Sequence, residues 1–187
     1  MPFTFQRLDI QDVVLIEAQR FRDDRGCFLE SFQQSAFHDA GITVRFVQDN
    51  ASYSRGHVLR GLHYQLSPGA QGKLVYAARG EIFDVAVDIR RNSPTFGSWV
   101  GATLNSERNA QLLYVPPGFA HGFCVLSDEA LVLYKTTANY APNQERGIHW
   151  NDPALHIEWP VPYPIVNERD AHLPVLAKAE NDFVYSS

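Results

Sequence analysis

The sequence has few of the residues that build disulfide frameworks or thiolate metal sites. It holds only two cysteines, Cys27 and Cys124, and no Cys-x-x-Cys pair. This count excludes a disulfide-rich module and a Cys-based zinc or redox motif. We expect both thiols to be reduced and to lie in the core or half-buried.

Long apolar segments are also absent. No stretch is long and apolar enough to span a bilayer, and residues 1–20 contain no uninterrupted hydrophobic run resembling a secretion signal. A cytoplasmic location without a membrane partner is therefore the expectation. The sequence also lacks a Gly-x-Gly-x-x-Gly loop, so it carries no dinucleotide-binding fingerprint.

The chain instead has the composition of a globular protein. Of its 187 residues, 45% are apolar and 12% are aromatic, and the formal net charge is -5. No repeat, low-complexity tract or linker divides it, so we predict a single domain over residues 1–187. The mild acidic balance argues against a nucleic-acid partner, although a few Arg and Lys side chains can still gather around an anionic small molecule.

Short segments of alternating polarity, bounded by Gly, Pro, Asn and Asp, dominate the sequence. They predict strands at residues 13–16, 27–32, 58–64, 73–78, 81–89, 99–104, 112–115, 122–126 and 130–137. Helical signals are limited to residues 34–40 and a short turn near residues 176–180. Many closely spaced strands and few helices predict an all-β protein, either a double-sheet jelly roll or a small barrel.

A closed β-structure has an interior that side chains fill or that opens as a ligand cavity. Polar residues on inward faces then need a reason, because burying a polar group without a partner is costly. The candidates for such inward positions are His63, Lys73, Asp84, His121 and Tyr134. We therefore expect the functional site to lie inside the β-structure.

The first cluster of candidate residues spans residues 60–65, with Lys73 on the next predicted strand. Strict alternation places Arg60 and His63 on opposite faces, so both reach one cavity only if Gly61 permits a bulge or bend. Taken alone, this cluster favours a core histidine bonded to a backbone carbonyl and a lysine at a strand edge. A catalytic role for these residues is favoured only when the neighbouring clusters are considered with them.

The second cluster is residues 116–123, whose Pro-x-Gly-x-x-His core resembles the second metal-binding motif of the cupin superfamily. A metal cupin also needs a His-x-His pair and a carboxylate in its first motif. Here that motif reads His63-Tyr64-Gln65, and residues 66–72 supply no carboxylate. We predict a cupin-type jelly roll with a vacant metal site. The alternative is a metal-dependent isomerase or oxygenase in which His63 and His121 are ligands.

The third cluster contains Tyr134 and Lys135, which point to opposite faces if their segment is a strand. A buried phenol usually just finds a hydrogen-bond partner, and this is the simplest interpretation of Tyr134 alone. Facing a histidine across a cavity, the same phenol can act as an acid.

Taken together, these motifs resemble the dTDP-4-dehydrorhamnose 3,5-epimerase family over residues 12–170. Nine blocks carry the resemblance in one order: residues 24–26 with Glu30, 47–50 with Ser52, 58–65, 72–75, 83–88, 117–123, 134–137, Glu145 and 150–153. The resemblance implies an epimerase that acts on a dTDP-linked 4-keto-6-deoxy sugar without a cofactor. It also implies a homodimer in which part of the N-terminal segment reaches into the neighbouring subunit's site.

The resemblance further implies a role for individual residues. His63 would be the general base, Asp170 its orienting carboxylate and Tyr134 the acid on the other face of the sugar, with Lys73 beside the sugar O4. Nucleotide, diphosphate or sugar would be held by Arg25, Glu30, Gln48, Asn50, Arg60, His121, Glu145 and Arg169, with Tyr140 against the base.

One departure from the family pattern concerns the segment before Asp170. A Ser-x-Lys-Asp sequence is common there, whereas this chain has Asn167-Glu168-Arg169-Asp170. Arg169 keeps the charge but not the shape of a lysine. Two other functions stay open at this point, an epimerase of C3 or C5 alone and a non-catalytic sugar-nucleotide binding module. The choice between dTDP and UDP is also open.

Overall fold

The computed structural model describes residues 2–105, 107 and 110–186. Within these ranges the elements are β1 (Phe3–Arg7), β2 (Val14–Ala18), β3 (Arg20–Asp23), β4 (Gly26–Leu29), α1 (Gln34–Asp39), β5 (Gln48–Arg55), β6 (Leu59–Gln65), β7 (Lys73–Arg79), β8 (Glu81–Asp88), β9 (Trp99–Asn105), β10 (Gln111–Val115), β11 (Phe119–Val125), β12 (Glu129–Thr136), β13 (Glu145–Gly147) and α2 (Glu168–Ala171). Two short 3-10 helices span Pro142–Gln144 and Leu176–Lys178.

Two antiparallel sheets form the body of the fold. The larger sheet has the strand order β1-β2-β10-β7-β12-β5, the smaller has the order β13-β6-β11-β8-β9, and β3 and β4 form a separate hairpin. Consecutive strands repeatedly change sheet, as in the double-sheet jelly roll that the sequence predicts. The predicted cupin-type, all-β fold is confirmed.

Three apolar layers stabilise this arrangement. The layer between the sheets combines residues of both, such as Val75 and Val132 from the larger sheet with Ile82 and Phe123 from the smaller. A second layer packs α1 through Phe37 onto the outer face of the larger sheet. In the third, the C-terminal segment covers the outer face of the smaller sheet. Because both faces of β8 are covered, its polar residue Asp84 lies in the interior.

The predicted strands agree with the observed ones to within a few residues. Residues 34–40 form the predicted helix, and the turn near residues 176–180 is a 3-10 helix at Leu176–Lys178. One expectation is wrong: Cys27 is exposed on β4, whereas Cys124 is buried as predicted. Among the described residues, none of the helices is long and apolar enough to cross a membrane.

Among the described strands, β1, β3, β5 and β13 were not predicted from the alternation of polarity, and β5 is the one of these that lines the interior. Its sequence, QDNASYSR, contains almost no large apolar residue. One face, with Gln48, Asn50, Ser52 and Ser54, is turned inward, and the other face is exposed to solvent. A strand that lines a polar interior on one side and meets water on the other has no apolar face for the pattern to reveal.

Strands β6 and β11 approach each other closely at two glycines. Gly61 has a φ of 135°, and the register between β6 and β11 shifts after His121. A Cβ atom added to Gly61 would lie 2.6 Å from the Cα atom of Gly122. This irregularity is the bend that Arg60 and His63 need in order to face one cavity, and both side chains line that cavity.

Replacing Gly61 by alanine should therefore cost more stability than the backbone conformation alone accounts for. Gly26→Ala is the matched control, because Gly26 has a similar φ of 131° but no atom within 4 Å of the added Cβ. We expect Gly26→Ala to lower the free energy of unfolding by about 1–3 kcal/mol. Gly61→Ala should add a further loss of about 1–3 kcal/mol from overpacking, measured by urea denaturation. Equal losses would show that the strand approach is not tight.

Candidate active site

A cavity of about 200 Å³ opens between the two sheets. Side chains of both sheets and of the C-terminal segment surround it: Ser52, Arg60, His63, Lys73, Val75, His121, Phe123, Val132, Tyr134, Asn167 and Asp170. Six residues for which the sequence predicts a site role thus meet in one place. They are Arg60, His63, Lys73, His121, Tyr134 and Asp170.

His63 and Asp170 form a hydrogen-bonded pair at this cavity. The Nε2 atom of His63 lies 2.8 Å from Oδ1 of Asp170, whose side chain is 1% exposed. The second carboxylate oxygen accepts a hydrogen bond from the Gly61 amide at 3.1 Å. From this contact we assign the His63 proton to Nε2, which leaves Nδ1 as the basic nitrogen.

These contacts stabilise the ionised form of Asp170, although its burial disfavours the charge. Burial opposes ionisation, but the hydrogen bond from His63, the field of His63 and the Gly61 amide outweigh it, and the pKa of Asp170 lies below its usual value. The carboxylate comes from the one-turn helix α2, where Asn167 accepts a hydrogen bond from the Asp170 amide at 2.6 Å. Asn167 therefore fixes the backbone that carries Asp170.

Lys73 enters the same cavity from β7 in the larger sheet. Its Nζ atom donates a long hydrogen bond of 3.4 Å to the backbone carbonyl of His63. Burial lowers the pKa of Lys73 to about 8, and the negative charges of Asp84 and Glu145 limit the fall. The ammonium is therefore charged at neutral pH and is only weakly bonded by protein groups, so it can bond a ligand oxygen.

Tyr134 stands on β12 in the larger sheet, whereas His63 stands on β6 in the smaller one. The two side chains line one cavity from different sheets, which is the arrangement expected of an acid and a base on opposite faces of a ring. Burial raises the pKa of Tyr134, and the positive charge of Arg60 opposes that rise. The phenol therefore keeps its proton at neutral pH.

His121 belongs to a second buried histidine–carboxylate pair. Its Nε2 atom lies 2.8 Å from Oδ1 of Asp84. Burial lowers the pKa of His121, the Asp84 carboxylate opposes the fall, and the nearby charges of Lys73 and His63 add to it. His121 and His63 are register partners on neighbouring strands, so the two pairs stand side by side.

A second cavity of about 340 Å³ adjoins the first through Tyr134, which lines both. Its other lining residues are Gln48, Asn50, Gln71, Thr136, Tyr140 and Glu145. Gln48 donates to Asn50 at 2.8 Å and accepts from the Tyr140 amide at 2.9 Å. The predicted binding residues of β5 thus lie at the mouth of the catalytic cavity.

Glu145 joins two further predicted residues at this mouth. One of its oxygens, Oε2, accepts a hydrogen bond from the Tyr140 hydroxyl at 2.6 Å. The same oxygen forms an ion pair with Arg169 at 2.8 Å. Burial opposes its ionisation, but these two contacts lower the pKa of Glu145 on balance. Arg169 directly precedes Asp170 in α2, so this network borders the His63–Asp170 pair.

Arg25 and Glu30 lie apart from this group. Arg25 is in the turn of the β3–β4 hairpin, where it pairs with Asp23 at 2.6 Å and its side chain is 90% exposed. Glu30 follows β4, and neither residue lines either of the two cavities. Within one chain, these two residues are therefore not among those that line the two cavities.

Two polar residues that line the first cavity had no role assigned from the sequence, Ser52 and Asn167. Ser52 follows Asn50 by two positions on β5, and its Oγ atom is buried without a hydrogen-bond partner among the described residues. The two-residue repeat of a strand would have placed it beside Asn50 if β5 had been predicted. Asn167 carries a helix-capping signal that a helix of four residues is too short to reveal.

The residues that the structure describes contain no group of three or more His, Cys, Asp or Glu side chains placed to hold a metal ion. His63 and His121 each use Nε2 for a carboxylate. The prediction that the site works without a metal or another cofactor stays a prediction.

Known proteins share this fold and sequence. A Shigella flexneri dTDP-4-dehydrorhamnose 3,5-epimerase is 57% identical over 165 residues, which cover 88% of this chain and 91% of that protein. A Streptomyces niveus dTDP-4-dehydrorhamnose 3-epimerase is 39% identical over 93% of this chain and 84% of its own length. The crystal structure of a Legionella pneumophila dTDP-6-deoxy-D-glucose-3,5-epimerase, in complex with dTDP-4-keto-L-rhamnose, has a TM-score of 0.93 and 46% identity, and the match covers 99% of this chain and 100% of that one.

The family model described as dTDP-4-dehydrorhamnose 3,5-epimerase matches residues 7–178, which is most of the chain. The sequence resemblance is thereby confirmed by the whole fold and by close relatives. The chain is an isomerase that belongs to the dTDP-4-dehydrorhamnose 3,5-epimerase family.

Proposed function

We propose that this chain converts dTDP-4-dehydro-6-deoxy-D-glucose to dTDP-4-dehydro-L-rhamnose by inverting C3 and C5, with His63 as base and Tyr134 as acid. The observation that carries the proposal is that a histidine–carboxylate pair and a tyrosine reach one cavity from two different sheets. The identity to 3,5-epimerases favours two inversions over one.

The ketone at C4 makes this chemistry possible at two positions. Both C3 and C5 are adjacent to the carbonyl, so loss of a proton from either carbon moves charge onto O4. Lys73 is suited to bind that oxygen, because its half-buried ammonium lines the cavity and the one hydrogen bond that it donates to the described residues is long, at 3.4 Å. A donor aimed at a developing oxyanion contributes about 10²–10³ in kcat.

His63 is suited to remove both protons. Its Nδ1 atom is the basic nitrogen while Nε2 is bonded to Asp170. The Asp170 carboxylate holds the ring in one orientation and stabilises the imidazolium that forms. General base catalysis of this kind contributes about 10²–10⁴ in rate.

Inversion then requires a proton from the opposite face of the ring. Tyr134 is suited to supply it, because its raised pKa keeps the phenol protonated. The reaction moves only protons, so it needs no hydride carrier. The nucleotide would occupy the adjoining cavity with Gln48, Asn50 and Tyr140, while Arg60, His121, Glu145 and Arg169 hold diphosphate or sugar.

His63→Ala should abolish deuterium incorporation from heavy water at both C3 and C5, because both depend on one base. Tyr134→Phe should retain exchange but lose inversion by about 10²-fold or more. Proton NMR of the substrate and product measures both. The controls are His38→Ala and Tyr163→Phe, which change exposed side chains outside the two cavities and should be normal. Near-normal inversion by Tyr134→Phe would remove Tyr134 from the acid role.

The rate should fall as the pH rises through the pKa of Lys73. Lys73 acts as an ammonium, so the alkaline decline of kcat/KM should begin near pH 8, where this charge is lost. Lys73→Arg should move this decline to higher pH, since a guanidinium stays charged. An alkaline decline at the same pH in wild type and Lys73→Arg would assign it to another group.

A homodimer with exchange of the N-terminal hairpin accounts for the position of Arg25 and Glu30. The hairpin also exposes Phe21 and Phe28, which are 48% and 63% exposed. The outer face of the larger sheet has a depression of about 290 Å³ lined by Leu74, Tyr76, Leu112 and Leu133 among others. We infer that the hairpin of one subunit crosses to the other subunit and brings Arg25 to its site.

Mixing two inactive variants tests this exchange. His63→Ala lacks the base, and Arg25→Ala should lose activity because its hairpin no longer serves the partner. In a randomly mixed population each heterodimer holds one complete site, so activity should recover to about a quarter of wild type. If each subunit used its own Arg25, mixing would restore nothing. Light scattering should give twice the 21.1 kDa of one chain.

Three further points belong to the proposal. The chain acts as one domain, because the two sheets share a core. It works in the cytoplasm, since a substrate with a charged diphosphate does not cross a bilayer unaided. It inverts two centres, and ring couplings in the NMR spectrum of the product distinguish this outcome from inversion at C3 or C5 alone.

A further inference from the structure

Asp84 is a fully buried carboxylate behind the wall of the catalytic cavity. Its side chain is 0% exposed, and Oδ1 bonds Nε2 of His121 at 2.8 Å. The other oxygen, Oδ2, is buried and has no hydrogen-bond partner among the described residues. A buried charge that uses only part of its bonding capacity is costly unless a nearby positive charge offsets it.

Lys73 is the positive charge that Asp84 can serve. Lys73 and His121 line the same cavity, and Asp84 lies directly behind His121. Burial lowers the pKa of Lys73, and Asp84 is the largest influence that opposes this fall. The other charged or titratable groups around Lys73 come from β6, β11, β12, β13 and α2: Arg60, His63, His121, Tyr134, Glu145 and Asp170.

The bond from His121 assigns a tautomer as well. A proton on Nε2 that points to Asp84 leaves Nδ1 of His121 unprotonated while the ring is neutral. A neutral His121 adds no second positive charge beside His63, its register partner. The base can then become an imidazolium during the reaction without repulsion from its neighbour.

We propose that Asp84 is a positioning residue for the epimerisation. It fixes His121 as the neutral Nε2–H tautomer and supplies the negative charge that keeps Lys73 an ammonium beside the O4 enolate. The proposal rests on the proposed function, because it requires an enolate at O4. Asp84 acts only through His121 and Lys73, since neither of its oxygens lines the cavity.

Asp84→Asn tests the link to Lys73, since the amide keeps the shape of the side chain and loses the charge. The alkaline decline of kcat/KM should move to lower pH by about one unit, because an opposite charge no longer favours the ammonium. The proton NMR assay of product formation, run from pH 6 to 9.5, measures the shift. An unchanged decline overturns the proposal, even if kcat falls.

Asp88→Asn is the matched control. Asp88 is also fully buried and lies four residues further along the same strand, but it bonds Arg90, Ser93 and Thr95 outside the cavity. We expect it to lose stability and to keep the alkaline decline of wild type. If wild-type enzyme exchanges no deuterium, or His63→Ala still does, the proposed function itself fails, and that result is separate from the Asp84 test.

A measurement on the unmodified enzyme covers the case in which Asp84→Asn does not fold. Nitrogen-15 NMR of histidine-labelled protein, with His121 assigned by comparison with His121→Gln, reports which ring nitrogen is protonated. We expect a neutral ring with the proton on Nε2 throughout the active pH range. An imidazolium, or a proton on Nδ1 alone, overturns the proposal.

Discussion

The close approach of β6 and β11 at Gly61 and Gly122 is the constraint on which the active site depends. An unbroken strand would send Arg60 and His63 to opposite faces, so one of the two would leave the cavity. The left-handed conformation of Gly61 and the register shift turn both side chains inward. The same irregularity brings the Gly61 amide to Asp170. One backbone feature thus places His63, the carboxylate that bonds it and the Arg60 cation around one cavity.

The fold could be predicted from the sequence wherever a strand has faces of different polarity. The strands around the shared core have this property, and their bounds were correct to within a few residues. The prediction missed β1, β3, β5 and β13. It failed at β5 because Gln48–Arg55 is polar towards the cavity and polar towards solvent. It also failed at the exposed hairpin position Cys27, where a thiol that the pattern assigned to the interior meets water.

The residues of the candidate site also include some that the sequence pattern could identify and one that it could not. His63, Lys73, His121 and Tyr134 could be found as polar residues in otherwise apolar strands, since burial of such groups needs a reason. Asp170 could not, because its segment has no periodic pattern and it meets His63 across 107 residues of sequence. Only the family resemblance assigned it a role. The charged groups of the cavity come together through contacts between residues that are distant in sequence. Spacing along the chain therefore does not reveal which charged groups are neighbours.

The origin of Asp170 in the C-terminal segment has a consequence for biosynthesis. His63 belongs to the first part of the chain, but its carboxylate partner follows 107 residues later, on a helix of only one turn. During translation the two sheets have nearly all their strands before the pair can close. The two sheets alone therefore do not supply the partner of His63, and the last twenty residues complete the pair.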